Sequence, residues 1–248
     1  TSSTLVNHKL AVEMCNNPAW YAVQALPYMM GFPHECAEQT FTRLYANSIA
    51  QFLANKNPEV KNVYAQWEKE AATGGQSLQS KLLKNQDLKT TLIEETPWLQ
   101  EANSESERLK KLGTLFNSAT MSKELKNAWS KLEQMQSYDG GWSWFPGMHG
   151  NEYITQTIVI GFGKMKRMGI NIAEYEPQIK KAITFLEEAA IKHYDYCKKH
   201  KFTDVGSTGL QYLYAKSYFT GYGLKPTDSV MAFYLSSAEK SWQLSSLI

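Results

Sequence analysis

Apolar residues recur at three- and four-residue steps along most of this chain, and that spacing constrains the fold more than any other feature. Phe41, Leu44, Tyr45, Ile49, Phe52 and Leu53 form one stripe, the pattern of an amphipathic helix with one face turned to a core over about four turns. The stripe ends near Asn57-Pro58, and Pro58 suits the first turn of the next helix. Val60, Val63, Tyr64 and Trp67 carry that helix to Gly74-Gly75, and a shorter piece follows around Leu78, Leu82 and Leu83. Met121, Leu125, Ala128, Trp129, Leu132 and Met135 mark another helix; 154–168, 179–191, 210–219 and 230–247 supply four more. Strand alternation is confined to the opening, where Leu5, Leu10, Val12 and Met14 lie among polar residues. The chain therefore reads as all-α. Residues 1–15 are expected to be an extended lead-in, a strand of an adjacent domain. Residues 16–248 are expected to form one domain of about ten helices, paired by short turns in an antiparallel array.

Composition narrows the class of function. With 248 residues, 43% of them hydrophobic, the chain can bury one large core or two small ones. A formal net charge of +2 gives no basis for nucleic-acid binding. No apolar run approaches the ~18 residues of a membrane span. Ser104 to Lys111 is a charge run that reads as a solvated helix face. The start at Thr1 and the end at Leu247-Ile248, inside a helical pattern, are expected to be cuts in a longer protein. The three cysteines, Cys15, Cys36 and Cys197, have no zinc-type spacing. His193 and Cys197 share a helix face four residues apart, but no well-spaced carboxylate joins them, so neither a metal nor a cofactor is expected.

Two short stretches stand out from the helical background. The first is Gln136-Ser137-Tyr138-Asp139-Gly140-Gly141-Trp142-Ser143-Trp144-Phe145-Pro146-Gly147, directly after a helix. Its Asp-Gly-Gly turn lets the backbone reverse, its aromatics cover apolar surface, and the Gln136 amide can bond freed backbone groups. The second is Phe32-Pro33-His34-Glu35-Cys36-Ala37-Glu38-Gln39-Thr40. It sets a thiol and a carboxamide three positions apart where a helix begins, and positions i and i+3 are neighbours on one helix face. Attack of the Cys36 thiolate on the Gln39 amide, with loss of ammonia, would close an internal thioester.

The second stretch resembles the thioester motif of the α2-macroglobulin and complement family, Gly-Cys-x-Glu-Gln, and is closest to the bacterial form Tyr-Pro-Tyr-Gly-Cys-x-Glu-Gln. Pro33, Cys36, Glu38 and Gln39 match, and Phe32 stands for the first tyrosine. His34 and Glu35 occupy the places of the second aromatic and the glycine. The Gln-x-x-Asp-Gly-x-Trp stretch is similar to the turn between helix pairs in α/α toroids, a fold shared by terpene cyclases, prenyltransferases and the thioester domains of this family. The resemblance implies an α/α toroid and a protease trap rather than an enzyme. A lysine amine or hydroxyl of the attacking protease would take the acyl group from Gln39 and release the Cys36 thiolate, a reaction used once. The positive end of the helix dipole assists that thiolate as attacker and leaving group. Glu38 would serve as a proton acceptor or a cap, and Phe32, with Tyr28, Met29 and Met30, would shield the bond from water. His149 lies at about the distance at which some relatives place an acyl-accepting histidine. The family further implies flanking domains, a bait region elsewhere, and the periplasm or cell surface of a bacterium. Two other readings stand beside this one: a toroid without a formed thioester, acting as a scaffold, and a toroid enzyme such as a cyclase or glycosidase. The aspartates here are isolated, without the Asp-x-Asp-Asp cluster of a protonating cyclase.

Overall fold

The computed structural model describes residues 35–56, 118–223 and 227–245, together with the single positions Met29 and Asn62. The expected lead-in over 1–15, the helices expected after Pro58 and around Leu78–Leu83, and the charge run lie outside the described residues. Within them the protein is helical: α1 (Ala37–Lys56), α2 (Ser118–Gln134), α3 (Glu152–Arg167), α4 (Glu176–His200), α5 (Gly206–Ser217) and α6 (Asp228–Ser245), with a 3-10 turn at Ala173–Tyr175 before α4. No strand occurs among the described residues; Gln136 and Trp142 form an isolated antiparallel bridge.

The chain divides into two compact units, Thr1–Phe32 with Ala50–Lys123, and Pro33–Ile49 with Glu124–Ile248. Of the first, the described residues are mainly the end of α1 and the start of α2, where the Lys56 ammonium lies over the Phe52 ring at 5.3 Å. The second unit holds Cys36, Gln39 and the whole tryptophan turn.

Local chemistry sets the ends of its helices. Asn151 caps α3 by accepting the Ile154 N–H at 3.1 Å. Glu152 occupies the first turn, and Lys164, Lys166 and Arg167 the last, each charge opposite in sign to the helix end it faces. Pro177 sits in the first turn of α4, where its missing N–H costs nothing. That helix ends on Lys201 at φ 59°, a left-handed residue that is not glycine. Both α3 and α4 pack on α5, α3 and α6 each pack on α4, and α6 also packs on α5. Buried residues surround most of α3 but follow one stripe of α4, so α3 is the more enclosed helix.

The core beside α1 is aromatic. Phe162 meets Phe41 at 5.0 Å and Trp129 at 6.2 Å edge-on, and Tyr175 at 5.1 Å with the rings tilted. Gly161 admits Phe41 to α3: a Cβ there would lie 2.2 Å from its ring. Among its described residues, one carboxylate lies fully buried. Glu187 on α4 has no exposed surface and is bonded to Lys216 of α5, which also donates to the Tyr222 carbonyl at 2.7 Å.

Candidate functional site

Cys36 immediately precedes α1, and its carbonyl accepts the Thr40 N–H at 2.9 Å, the first bond of the helix ladder. Cys36 is therefore the cap residue, and Gln39 the third residue of the first turn. These are the two positions of a capping box, in which each side chain reaches back to the other residue's backbone N–H across the turn. A cysteine in place of serine or threonine turns that local geometry into a possible reaction: sulfur at one position, carboxamide at the other. The Cys36 thiol is free and buried. Gln39 Oε1 is buried and bonds to nothing, so the box is not closed by an ordinary hydrogen bond. Glu38 stands half-buried in the same turn, its charge facing the positive end of the helix.

The Glu35 side chain bonds Lys131 of α2, with Arg43 at 4.0 Å. Lys131 holds the Glu35 carboxyl below its ordinary value, chiefly by that hydrogen bond and then by its charge. This anchor spans 96 residues of sequence, and no local pattern announces it.

The tryptophan turn is held at nearly every polar group. Gln136 Nε2 donates to the Gly140 carbonyl and to the Gln178 carbonyl of α4, both at 2.9 Å. The Asp139 carboxylate accepts the N–H groups of Gly141 at 3.0 Å and Gly150 at 3.2 Å. Trp142, fully buried, donates from its backbone to Thr155 Oγ1 at 2.8 Å and from its indole to the Leu132 carbonyl at 3.0 Å. Gly140 has φ +89°, and a Cβ there would lie 2.7 Å from the Lys181 carbonyl oxygen, so both conformation and space require glycine.

The two signatures meet. The Ala37 N–H, an unpaired donor at the start of α1, is accepted by the Trp144 carbonyl at 3.0 Å. The residue after Cys36 is thus tied to the loop that follows the tryptophan turn. Nothing in either stretch alone indicates this, because the acceptor is a backbone carbonyl that any side chain could accompany.

The remaining candidates separate. His149 is exposed and meets Tyr138 edge-on at 5.9 Å; no contact joins it to Cys36 among the described residues. Met29 is half-buried and helical, while Tyr28, Met30 and Phe32 lie outside the described residues, as does Cys15. Cys197 is a buried free thiol 3.4 Å from His193 Nε2. Burial, and after it the charge of Asp204, pushes that thiol up, away from the reactive thiolate.

Neither a protein-family model nor a curated protein matches this chain, and no solved structure matches its fold.

Proposed function

We propose that this chain is the thioester domain of a bacterial α2-macroglobulin-like protease trap, built as an α/α toroid. The observation that carries the reading is the placement of Cys36 and Gln39 at the cap and third positions of one helical turn, with the thiol buried and the Gln39 carbonyl oxygen unbonded. The toroid reading is supported by helices that contact both their chain neighbour and the next but one, as two alternating layers would.

In this reading the Cys36 thiolate attacks the Gln39 side-chain carbonyl carbon. The C–N bond breaks, the nitrogen leaves as ammonia with the proton it needs, and a C–S bond remains. An amine or hydroxyl of a protease then attacks the same carbon, the C–S bond breaks, and sulfur departs as thiolate. The protease is left joined to Gln39 through an amide or ester. Each domain reacts once, so this is capture rather than turnover. Its place is the periplasm or cell surface, with flanking domains supplying the bait. The tie from Ala37 to Trp144 fixes the helix start on which the geometry depends.

Tandem mass spectrometry of the Cys36–Gln39 peptide, before and after methylamine, tests the reading. The expected native mass is short by one ammonia, and treatment yields a Gln39 methylamide and an alkylatable Cys36. A glutamate at position 39 in the untreated protein would mean that the bond formed and was lost to water. A free Cys36 beside an unmodified Gln39, unchanged by methylamine, would leave the domain a scaffold.

A further inference from the structure

The end of α4 is a projecting corner, exposed at every residue from 198 to 204. Its backbone closes as a Schellman motif: the Phe202 N–H donates to the Cys197 carbonyl at 2.9 Å and the Lys201 N–H to the Lys198 carbonyl at 3.4 Å. That motif often brings a hydrophobic contact between the residue after the left-handed one and the last turn of the helix. Here the contact is Phe202 with Tyr196, ring centroids 6.0 Å apart. His200 completes a triangle, 4.4 Å from Tyr196 and 6.2 Å from Phe202. The motif accounts for the meeting of the rings but not for their exposure. Tyr196 remains 53% and Phe202 54% exposed, so the contact takes neither ring out of water.

Cations surround these rings. Lys192, Tyr196, Lys199 and His200 fall at i, i+4, i+7 and i+8 of one helix face, and Lys201 adds an ammonium at the tip. Among the described residues none of these three lysines belongs to an ion pair. Asp204 is engaged elsewhere, accepting the Gly206 N–H and the Ser237 hydroxyl at 3.0 Å each. Asp195 is left beside Tyr196, and Glu188, one turn before Lys192, bounds the positive stretch. Four lysines against two aspartates between 192 and 204 leave the corner positive.

A helix C-terminus favours cations for its own stability, which accounts for Lys198 and Lys199 in the last turn. It does not account for the backbone at Lys201. Among the described residues Lys201 is the one non-glycine residue with positive φ, a conformation that strains any residue with a Cβ and that glycine adopts freely. Stability alone would place glycine there. The lysine instead keeps a cation beside Phe202 despite the strain.

Such a corner suits a surface better than a chain. A convex tip has no walls to enclose a peptide, whereas a bilayer needs none. Aromatic rings settle at the level of the headgroups. Lysines are drawn to anionic headgroups while their methylene stems lie along apolar surface.

We infer that the end of α4 docks on the surface of an anionic phospholipid bilayer. Phe202 and Tyr196 enter the headgroup layer, and Lys192, Lys199 and Lys201 face the lipid phosphates. The contact is peripheral and reversible, since it rests on two rings and three lysines. It does not depend on thioester chemistry at Cys36.

The test uses the full chain with Cys36→Ala, which removes acylation as a route to the vesicles. Co-sedimentation is measured with vesicles of phosphatidylcholine alone and of phosphatidylcholine mixed equally with phosphatidylglycerol. Binding to the mixed vesicles should be stronger by about tenfold or more, and should fall as salt is raised. Phe202→Ser and Lys199→Gln should each weaken it about fivefold. Lys201→Gly separates docking from folding: it should raise the urea midpoint by relieving the backbone strain, yet weaken vesicle binding about fivefold. Lys126→Gln, at an exposed position on α2, should leave binding nearly unchanged. The inference is overturned if neither vesicle binds, if the two bind alike, or if Lys126→Gln weakens binding as much as Lys201→Gly. It is also overturned if poly-glutamate binds more tightly than the mixed vesicles at equal anion concentration, which would assign the corner to an acidic polypeptide.

Discussion

Glu35 shows how one residue can do a different job from the one its motif position suggests. A glycine there would free the backbone, whereas the glutamate fastens the approach to α1 onto Lys131 of α2. Because Lys131 lowers the Glu35 carboxyl, the folded value lies below the ordinary 4.5. The stabilisation is therefore present above the ordinary value and is lost as pH falls through the folded one. In urea melts, the native protein should exceed Glu35→Gln in stability by a small, salt-sensitive margin near neutrality. That margin should shrink below pH 4.5; a constant or widening margin would contradict the assignment. Lys216 is the opposite case, a cation bonded to a carboxylate with no exposed surface. Removing one partner of a buried pair costs about 3–5 kcal/mol. Lys216→Met should fall in that range by denaturant unfolding, and adding Glu187→Gln should recover much of the loss.

At the scale of the helices, spacing carried most of what could be read. The stripes at Phe41–Leu53 and Met121–Met135 correspond to α1 and α2, and four further expected spans overlap α3 to α6. Boundaries shifted where chemistry outside the apolar stripe decided them. Glu176 and Pro177 start α4 before its first apolar residue, Ile179, and Lys201 ends it without a glycine to mark the place. That a helix begins within the Cys36–Gln39 stretch was legible because helix starts are signalled locally. The Ala37–Trp144 bond and the Glu35–Lys131 anchor were not, since each joins segments whose proximity only the packed fold creates. Gly161 is the sharpest example. In an exposed helix, glycine to alanine gains roughly 0.5–1 kcal/mol. Here the added methyl would meet the Phe41 ring at 2.2 Å, so Gly161→Ala should destabilise by about 1–3 kcal/mol. Combining it with Phe41→Leu should show positive coupling in a double-mutant cycle, whereas additive losses would mean that the two side chains do not compete for this space.

Across the whole unit, the tryptophan turn acts as a clamp between helices distant in sequence. It takes the end of α2 through Trp142 and Leu132, the start of α3 through Thr155, the start of α4 through Gln178, and the start of α1 through the Trp144 carbonyl. A clamp of this kind makes the Cys36 turn depend on residues that never touch it. Asp139 supports the turn by accepting two backbone N–H groups, and its loss should cost the loop about 1–3 kcal/mol. The Ala37 amide, whose acceptor is a carbonyl of that loop, is the probe. In Asp139→Ala its hydrogen exchange should quicken about tenfold or more if local opening of the loop releases it. Amides in the middle of α4 should quicken much less. Equal acceleration everywhere would mean global destabilisation, and an unchanged Ala37 amide would mean that the turn and the helix start open independently. Under the thioester reading, the same variant should also react faster with methylamine, because loosening the cap exposes the bond that the clamp keeps in place.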